Sequence, residues 1–211
     1  MKAMALGDNS LPFFYFLYEK ARPLDSLSVL RQMKGRRFDP ALILGTASRC
    51  RFGYPRVILC APLRGLAPFP TSFWLTCPWL TRLAGTVESQ GGVGELERWI
   101  ERCAPREWIF FNMDHQRVRM ALLPRTTTDF LRRFRPRAFD FLRRGGVGGI
   151  RCARHTRCDP REDSVRVKCI HLQTASWLAT HRHPGSRWLE DRGLSRDCGG
   201  HMKMLCDGKV L

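Results

Sequence analysis

Apolar positions change their spacing several times along the chain. From Arg56 to Ala61 they crowd into one short run, and a second run, Ser72 to Thr76, follows a Pro/Gly stretch from Leu63 to Phe69. Short apolar runs bounded by Gly and Pro predict two neighbouring strands joined by a loop. At Pro78 the period switches. Trp79, Leu80, Leu83 and Val87 fall at helical intervals until Gly91-Gly92. This predicts a helix opened by the proline, whose missing N–H has no intrahelical partner at the first position anyway. A second helix is expected from about Val93 to Cys103, with Leu96, Trp99 and Ile100 on one face and Ala104-Pro105 as its break.

Elsewhere the pattern is less uniform. Asp25 can cap a helix that runs to about Lys34 and stops at Gly35, and the aromatic patch between Pro12 and Pro23 can pack as a short helix. Residues 107–123 (EWIFFNMDHQRVRMALL) fit neither period: the first half can be strand, the second is at ease in a helix. Thr128 or Asp129 opens a helix through FLRRFRPRAFDFLRR, which Pro136 kinks or splits. GGVGG at 145–149 is a flexible joint, residues 151–166 a polar loop, and Val167 to Thr180 a helix with Ile170, Thr174, Trp177 and Leu178 on its apolar side. No repeat is evident. The expected fold class is α+β, a mostly helical single domain around a small antiparallel sheet. The domain is expected over residues 25–192, after an N-terminal leader (1–24) and before a flexible tail (193–211).

Composition adds two facts. The 211-residue chain carries a formal charge of +17, with 30 Arg against 6 Lys. Such charge suits nucleic acid, phosphate ligands or other polyanions, and equally suits a solvated surface with a compositional bias to Arg. There are nine cysteines, at 50, 60, 77, 103, 152, 158, 169, 198 and 206. An odd number, with no secretory signal, argues against a disulfide scaffold. The apolar run Leu11 to Leu17 is too short for a membrane span. A cytoplasmic protein with reduced, reactive or metal-binding thiols is expected, with no membrane partner.

Three cysteine positions stand out. Cys77 lies where strand meets helix, directly before Pro78, so it is an expected N-cap. There the amide groups and the positive end of the helix dipole would lower its pKa; packing beside Trp74 and Trp79 is the alternative. Cys50 precedes a turn with Gly53 and Pro55, and Cys169 and His171 sit two apart at the start of a helix. Cys50, Cys77 and Cys169, with His171 as fourth ligand, form a candidate set for tetrahedral zinc or an iron–sulfur cluster. Cys152 and Cys158 flank His155, but four Arg between 151 and 161 oppose a cation there. Cys60 and Cys103 read as packing, while Cys198, His201 and Cys206 lie in the tail and could fold over the site.

The segments RCRFGYPRVI, PFPTSFWLTCPWL, VESQGG, GGVGGI and VKCIHL together resemble the bacterial domain of unknown function 501, over roughly residues 28–190. No reaction attaches to that family, so the resemblance implies no activity. It does imply that Cys50, Cys77, Cys169 and His171 belong to the family's motifs, and that Cys152, Cys158 and the tail cysteines do not. The chain departs from the pattern in a longer, more basic stretch after GGVGGI and in His183, where an Asn is expected before the proline.

A basic segment completes the reading. Twelve Arg and two acids fall between Arg117 and Arg157. Arg132, Arg133, Arg135, Arg137, Arg143 and Arg144 interleave with Phe130, Phe134, Phe139 and Phe141. An Arg/aromatic surface can hold phosphates and stack bases, or the Phe residues can face a core and the Arg residues water. RRGGVGGIR can form a phosphate nest or simply turn the chain; it is not a P-loop. Three functions follow: a Cys/His metal-binding protein, a nucleic-acid or phosphate binder acting through the Arg-rich segment, and a thiol enzyme with Cys77 as nucleophile and His171 as base.

Overall fold

The structure is a computed structural model, and it describes residues 2–3, 16–36, 38–150, 165–199 and 203–207. The fold is α+β, as the sequence pattern predicts. Five strands form an antiparallel sheet in the order β1 (Lys2–Ala3), β2 (Leu17–Lys20), β3 (Ile43–Arg49), β4 (Pro55–Cys60) and, last in the sheet, β7 (Phe73–Leu75). The expected strand pair is β4 and β7, with Val57 opposite Leu75 and Leu59 opposite Phe73. The Leu63–Phe69 loop holds a minimal hairpin, β5 (Leu63–Arg64) with β6 (Ala67–Pro68). Where a short helix was expected before Pro23, the described residues form β2.

Helices cover the sheet. α1 (Pro23–Gln32) precedes β3, and α2 (Pro78–Ser89) and α3 (Gly92–Cys103) follow β7. Proline at the first position of α2 and the left-handed Gly91 before α3 (φ 83°) place those helix starts as the sequence pattern predicts. α4 (Pro105–Ala121) resolves the ambiguous stretch as one continuous helix. Its buried face is partly polar (Asn112, Asp114, His115, Arg119), which is why the apolar period is broken. Pro136 splits the next segment into α5 (Arg125–Phe134) and α6 (Pro136–Arg144). α7 (Ile170–Thr180), α8 (Ser186–Asp191) and α9 (Lys203–Asp207) follow.

The main core lies between the sheet and these helices, built on Val57, Leu59, Phe73 and Leu75 against Leu80, Leu96, Phe111 and Ile170. Within the tail, Leu194 is fully buried, and α9 lies against α1, where the Arg31 guanidinium donates to the Asp207 carbonyl at 3.2 Å. Among the described residues, no helix is long and apolar enough to cross a membrane.

Candidate metal centre

The starting point is the first turn of α7, whose amide groups need acceptors from outside the helix. They find one on α2. Glu88 Oε1 accepts the N–H of Ile170 at 2.6 Å and of His171 at 3.2 Å. The same oxygen stands 2.8 Å from His171 Nδ1. On the other side of the ring, Nε2–H donates to the Thr81 carbonyl at 3.0 Å. Thr81 and Glu88 are two helical turns apart and share a face of α2, so one helix grips both ends of the imidazole. A carbonyl on Nε2 fixes that proton and leaves the Nδ1 lone pair aimed at a carboxylate oxygen. At 2.8 Å a proton is shared between the two atoms, and a metal ion bonded to both at about 2.0–2.2 Å would part them by a few tenths of an ångström.

Cys169 supplies the third atom. It is the N-cap of α7, in extended conformation. Its sulfur, a Glu88 oxygen and a His171 ring nitrogen all lie within 4.8 Å of one another. Burial raises the Cys169 thiol pKa and the Glu88 charge adds to the rise, while the Leu172 and His171 amides and Lys168 pull the other way. The trio is half-open: the His171 and Glu88 side chains are 25% and 27% exposed. Cys169 and His171 line a cavity of about 280 Å³ with Arg36, Lys168 and Trp74. The Arg36 guanidinium lies 5.7 Å from the Trp74 ring centroid, and Lys168 Nζ donates to the Gly148 carbonyl at 3.3 Å. An ion held by the trio would face two cations and an aromatic wall.

The four residues expected to share one site stand as follows. Cys169 and His171 join Glu88; Cys50 and Cys77 are not in that group. Cys50 closes the turn after β3, where the Gly53 N–H donates to its carbonyl at 2.9 Å and Gly53 takes φ 84°. Cys77 is the N-cap of α2 as expected, but burial pushes its thiol up to about 11. The Leu80 and Trp79 amides do lower it, as a helix start should, and burial outweighs them. Cys60 is buried in the core and Cys103 is exposed. Cys152, Cys158, His155 and His201 lie outside the described residues. Glu88 is the residue that sequence spacing did not nominate. Its signal was its place in VESQGG, since its partners are more than 80 positions away.

The Arg-rich segment forms a helical elbow, α5–α6. Its buried side chains are Leu131 and Leu142, while Phe130, Phe134 and Phe141 are 41%, 60% and 44% exposed. The burial reading of the Phe spacing therefore holds only for Phe139, which packs partly buried against the small core of Leu123, Leu131 and Leu142, and fails for the other three. Arg132 pairs with Asp129 (2.8 Å), and Arg143 and Arg144 with Asp140 (3.1 and 2.6 Å). Arg133 lies over the Phe134 ring, and Arg135 and Arg137 line a groove of about 580 Å³ with Leu66 and Phe134. In the glycine loop the N–H groups of Gly145, Gly146, Gly149 and Ile150 donate to the Phe141, Ile150, Gly146 and Val147 carbonyls, so they are not turned to an outside phosphate. The loop's carbonyls at Gly145 and Gly146, with those of Pro70 and Leu142, accept from the guanidinium of buried Arg119, and Asn112 Oδ1 accepts the Val147 N–H at 3.0 Å.

These features define an α+β protein with a Glu/Cys/His cluster in a cationic pocket. The family model described as "Protein of unknown function (DUF501)" matches residues 46–191, and the chain belongs to that family. No curated protein and no solved structure matches it.

Proposed function

We propose that the protein binds a metal ion between Glu88, Cys169 and His171. The carrying observation is the 2.8 Å approach of Nδ1 to Oε1 on a ring whose other nitrogen already donates to a carbonyl, with a sulfur within 4.8 Å. One thiolate, one imidazole and one carboxylate suit zinc, and three protein ligands leave a fourth position open. That position faces Arg36 and Lys168, so it favours an anionic fourth ligand. A cytoplasmic, reducing setting suits this reading, because the ligand thiol must stay free. The test is elemental analysis of the purified protein and cobalt substitution, read by thiolate-to-metal absorbance. Loss of one metal equivalent per chain in Glu88→Gln and in His171→Ala, with the fold kept, supports the site. Unchanged metal content in both variants shows that the pair is only an ion pair capping a helix.

A second reading rests on the exposed Phe130, Phe134 and Phe141 among Arg132, Arg133, Arg135, Arg137, Arg143 and Arg144. Stacking surfaces beside cations suit single-stranded nucleic acid. Its mark is affinity that falls steeply with salt, with a slope reduced by about one for Arg135→Ala or Arg137→Ala. Equal binding to heparin would reduce it to charge alone. A Cys77 nucleophile with His171 as base is disfavoured: the Cys77 thiol is pushed up to about 11, and both ring nitrogens of His171 are engaged elsewhere.

A further inference from the structure

Cys50 and Cys77 are not left as isolated core thiols. They flank Pro55, the first residue of β4. Cys50 follows Arg49, which pairs with Pro55 in the β3–β4 register. Cys77 is held beside it because the Thr76 hydroxyl donates to the Pro55 carbonyl at 3.0 Å and the Cys77 N–H to the Arg56 carbonyl at 3.3 Å. The tail is tied over this spot at two points. Asp197 takes the Arg51 N–H and the Arg56 guanidinium, each at 3.2 Å, and so bridges the two sides of the turn that holds Cys50. The next residue is Cys198. Further on, Gln32 Nε2 donates both to the Pro55 carbonyl (2.9 Å) and to Cys206 Sγ (3.3 Å). One amide nitrogen thus joins the Cys206 sulfur to the proline that Cys50 and Cys77 flank.

Burial and mutual electrostatics agree with this convergence. Cys77, Cys198 and Cys206 are only 6%, 7% and 5% exposed, and all four thiols are unpaired. After burial, Cys77 is raised further by Cys206 and Cys198, Cys198 by Cys50, and Cys206 by Cys50 and Cys198. Five of the six possible pairs therefore sense one another's charge. A cation shared among the sulfurs would offset that mutual repulsion.

We infer that Cys50, Cys77, Cys198 and Cys206 form a four-thiolate site for a thiophilic metal, separate from the Glu88 trio. Three parts of the chain suit such an ion. Cys50 stands on a glycine turn, Cys77 is the N-cap of α2, and the tail supplies the two remaining sulfurs. Among the described residues, no three of these sulfurs lie within 4.8 Å of one another. A single zinc ion, with bonds of about 2.3 Å, would draw them closer by side-chain rotation, whereas an iron–sulfur cluster is itself broader. Cys198 and Cys206 lie beyond the family-matched residues 46–191, so this chain completes the site with its own tail.

The experiment uses full-length protein prepared without oxygen, carrying His171→Ala to silence the trio. Iron, acid-labile sulfide and zinc are measured, with the visible spectrum. Bound metal retained in this background, and lost on adding Cys198→Ser or Cys206→Ser, is the expected result. Iron with sulfide identifies a cluster, and zinc alone a single ion; either carries the proposal. Circular dichroism checks folding, and cobalt titration of each variant gives a second readout, the thiolate absorbance falling stepwise with each serine. A His171→Ala protein without metal that also fails to take up cobalt through thiolates, or serine variants with undiminished content, would overturn it. Loss of the trio's ion in Glu88→Gln alone bears only on the other site.

Discussion

Acidification from about pH 8 to about pH 5 should weaken the fold by roughly 2 kcal/mol through His183 alone. The ring is 4% exposed and packs edge-on against Phe111, 4.8 Å between centroids. Its Nδ1 accepts the Gly185 N–H at 2.9 Å, so Nε2–H donates to Gln173 Oε1 at 2.8 Å. Both nitrogens are satisfied in the neutral ring, and a second proton has no acceptor. Burial pushes the pKa from 6.5 down to about 3. The folded value lies below the unfolded one, so the unfolded chain takes the proton first as pH falls. The contribution is whole above about 6.5 and is lost progressively towards about 3. With these two values, linkage gives a loss of about 2 kcal/mol at about pH 5. His115, depressed by burial and then by Arg119 and His183, acts in the same direction. Glu19 and Asp25, whose carboxyls Arg49 holds below 4.5 and 3.8, lose stability only at lower pH and stay silent in this window. Urea unfolding of chelator-treated protein reads the effect: with a slope of about 2 kcal/mol/M, the midpoint drops by about 1 M. His183→Asn should remove most of the His183 share of that pH dependence, whatever it does to absolute stability. Equal midpoints at the two pH values, or a His183 ring titrating near its ordinary value, would refute the reasoning.

Four further substitutions have expected outcomes. Arg119→Met strips the donor from four backbone carbonyls and should cost about 3 kcal/mol or more, read as a lower melting temperature; a near-native value would contradict the pinning role. Gly45→Ala drives a Cβ into the Glu19 carbonyl oxygen and to 2.6 Å from the Tyr18 ring, so the β2–β3 pairing should loosen by about 1–3 kcal/mol in denaturant melts, and an unchanged midpoint would show that the strands can part freely. Leu142→Ala, at a fully buried position, should cost about 2–5 kcal/mol. Phe134→Ala, at 60% exposure, should stay within about 0.5 kcal/mol yet weaken single-stranded nucleic-acid binding, and the reverse ranking in thermal melts would sink the elbow assignment.

Features governed by local chemistry were legible in the sequence. Pro78 starts a helix and Pro136 divides one because a ring with no N–H has those effects wherever it stands. The α4 segment was not legible, because its buried Asn112 and Arg119 are satisfied by groups on the 145–147 loop, which no local period reports. The Phe spacing in α5 and α6 fits a buried stripe as well as an exposed one; the choice is made by what else packs there, and with Leu123, Leu131 and Leu142 in place only Phe139 joins the core. In the candidate site, Cys169 and His171 were readable as a pair, whereas Glu88 becomes a partner only through α2–α7 docking.

That docking bears on the order of assembly. α7 has no acceptor of its own for its opening amides; Glu88 lends one across 82 residues of chain. Closing so long a loop carries an entropic cost that only tertiary contacts offset, and contacts of this separation slow folding. A peptide spanning α7 alone would lack its stop against fraying at the first turn. During refolding, amide protection at Ile170 and His171 should therefore arrive together with protection of α2, and no earlier.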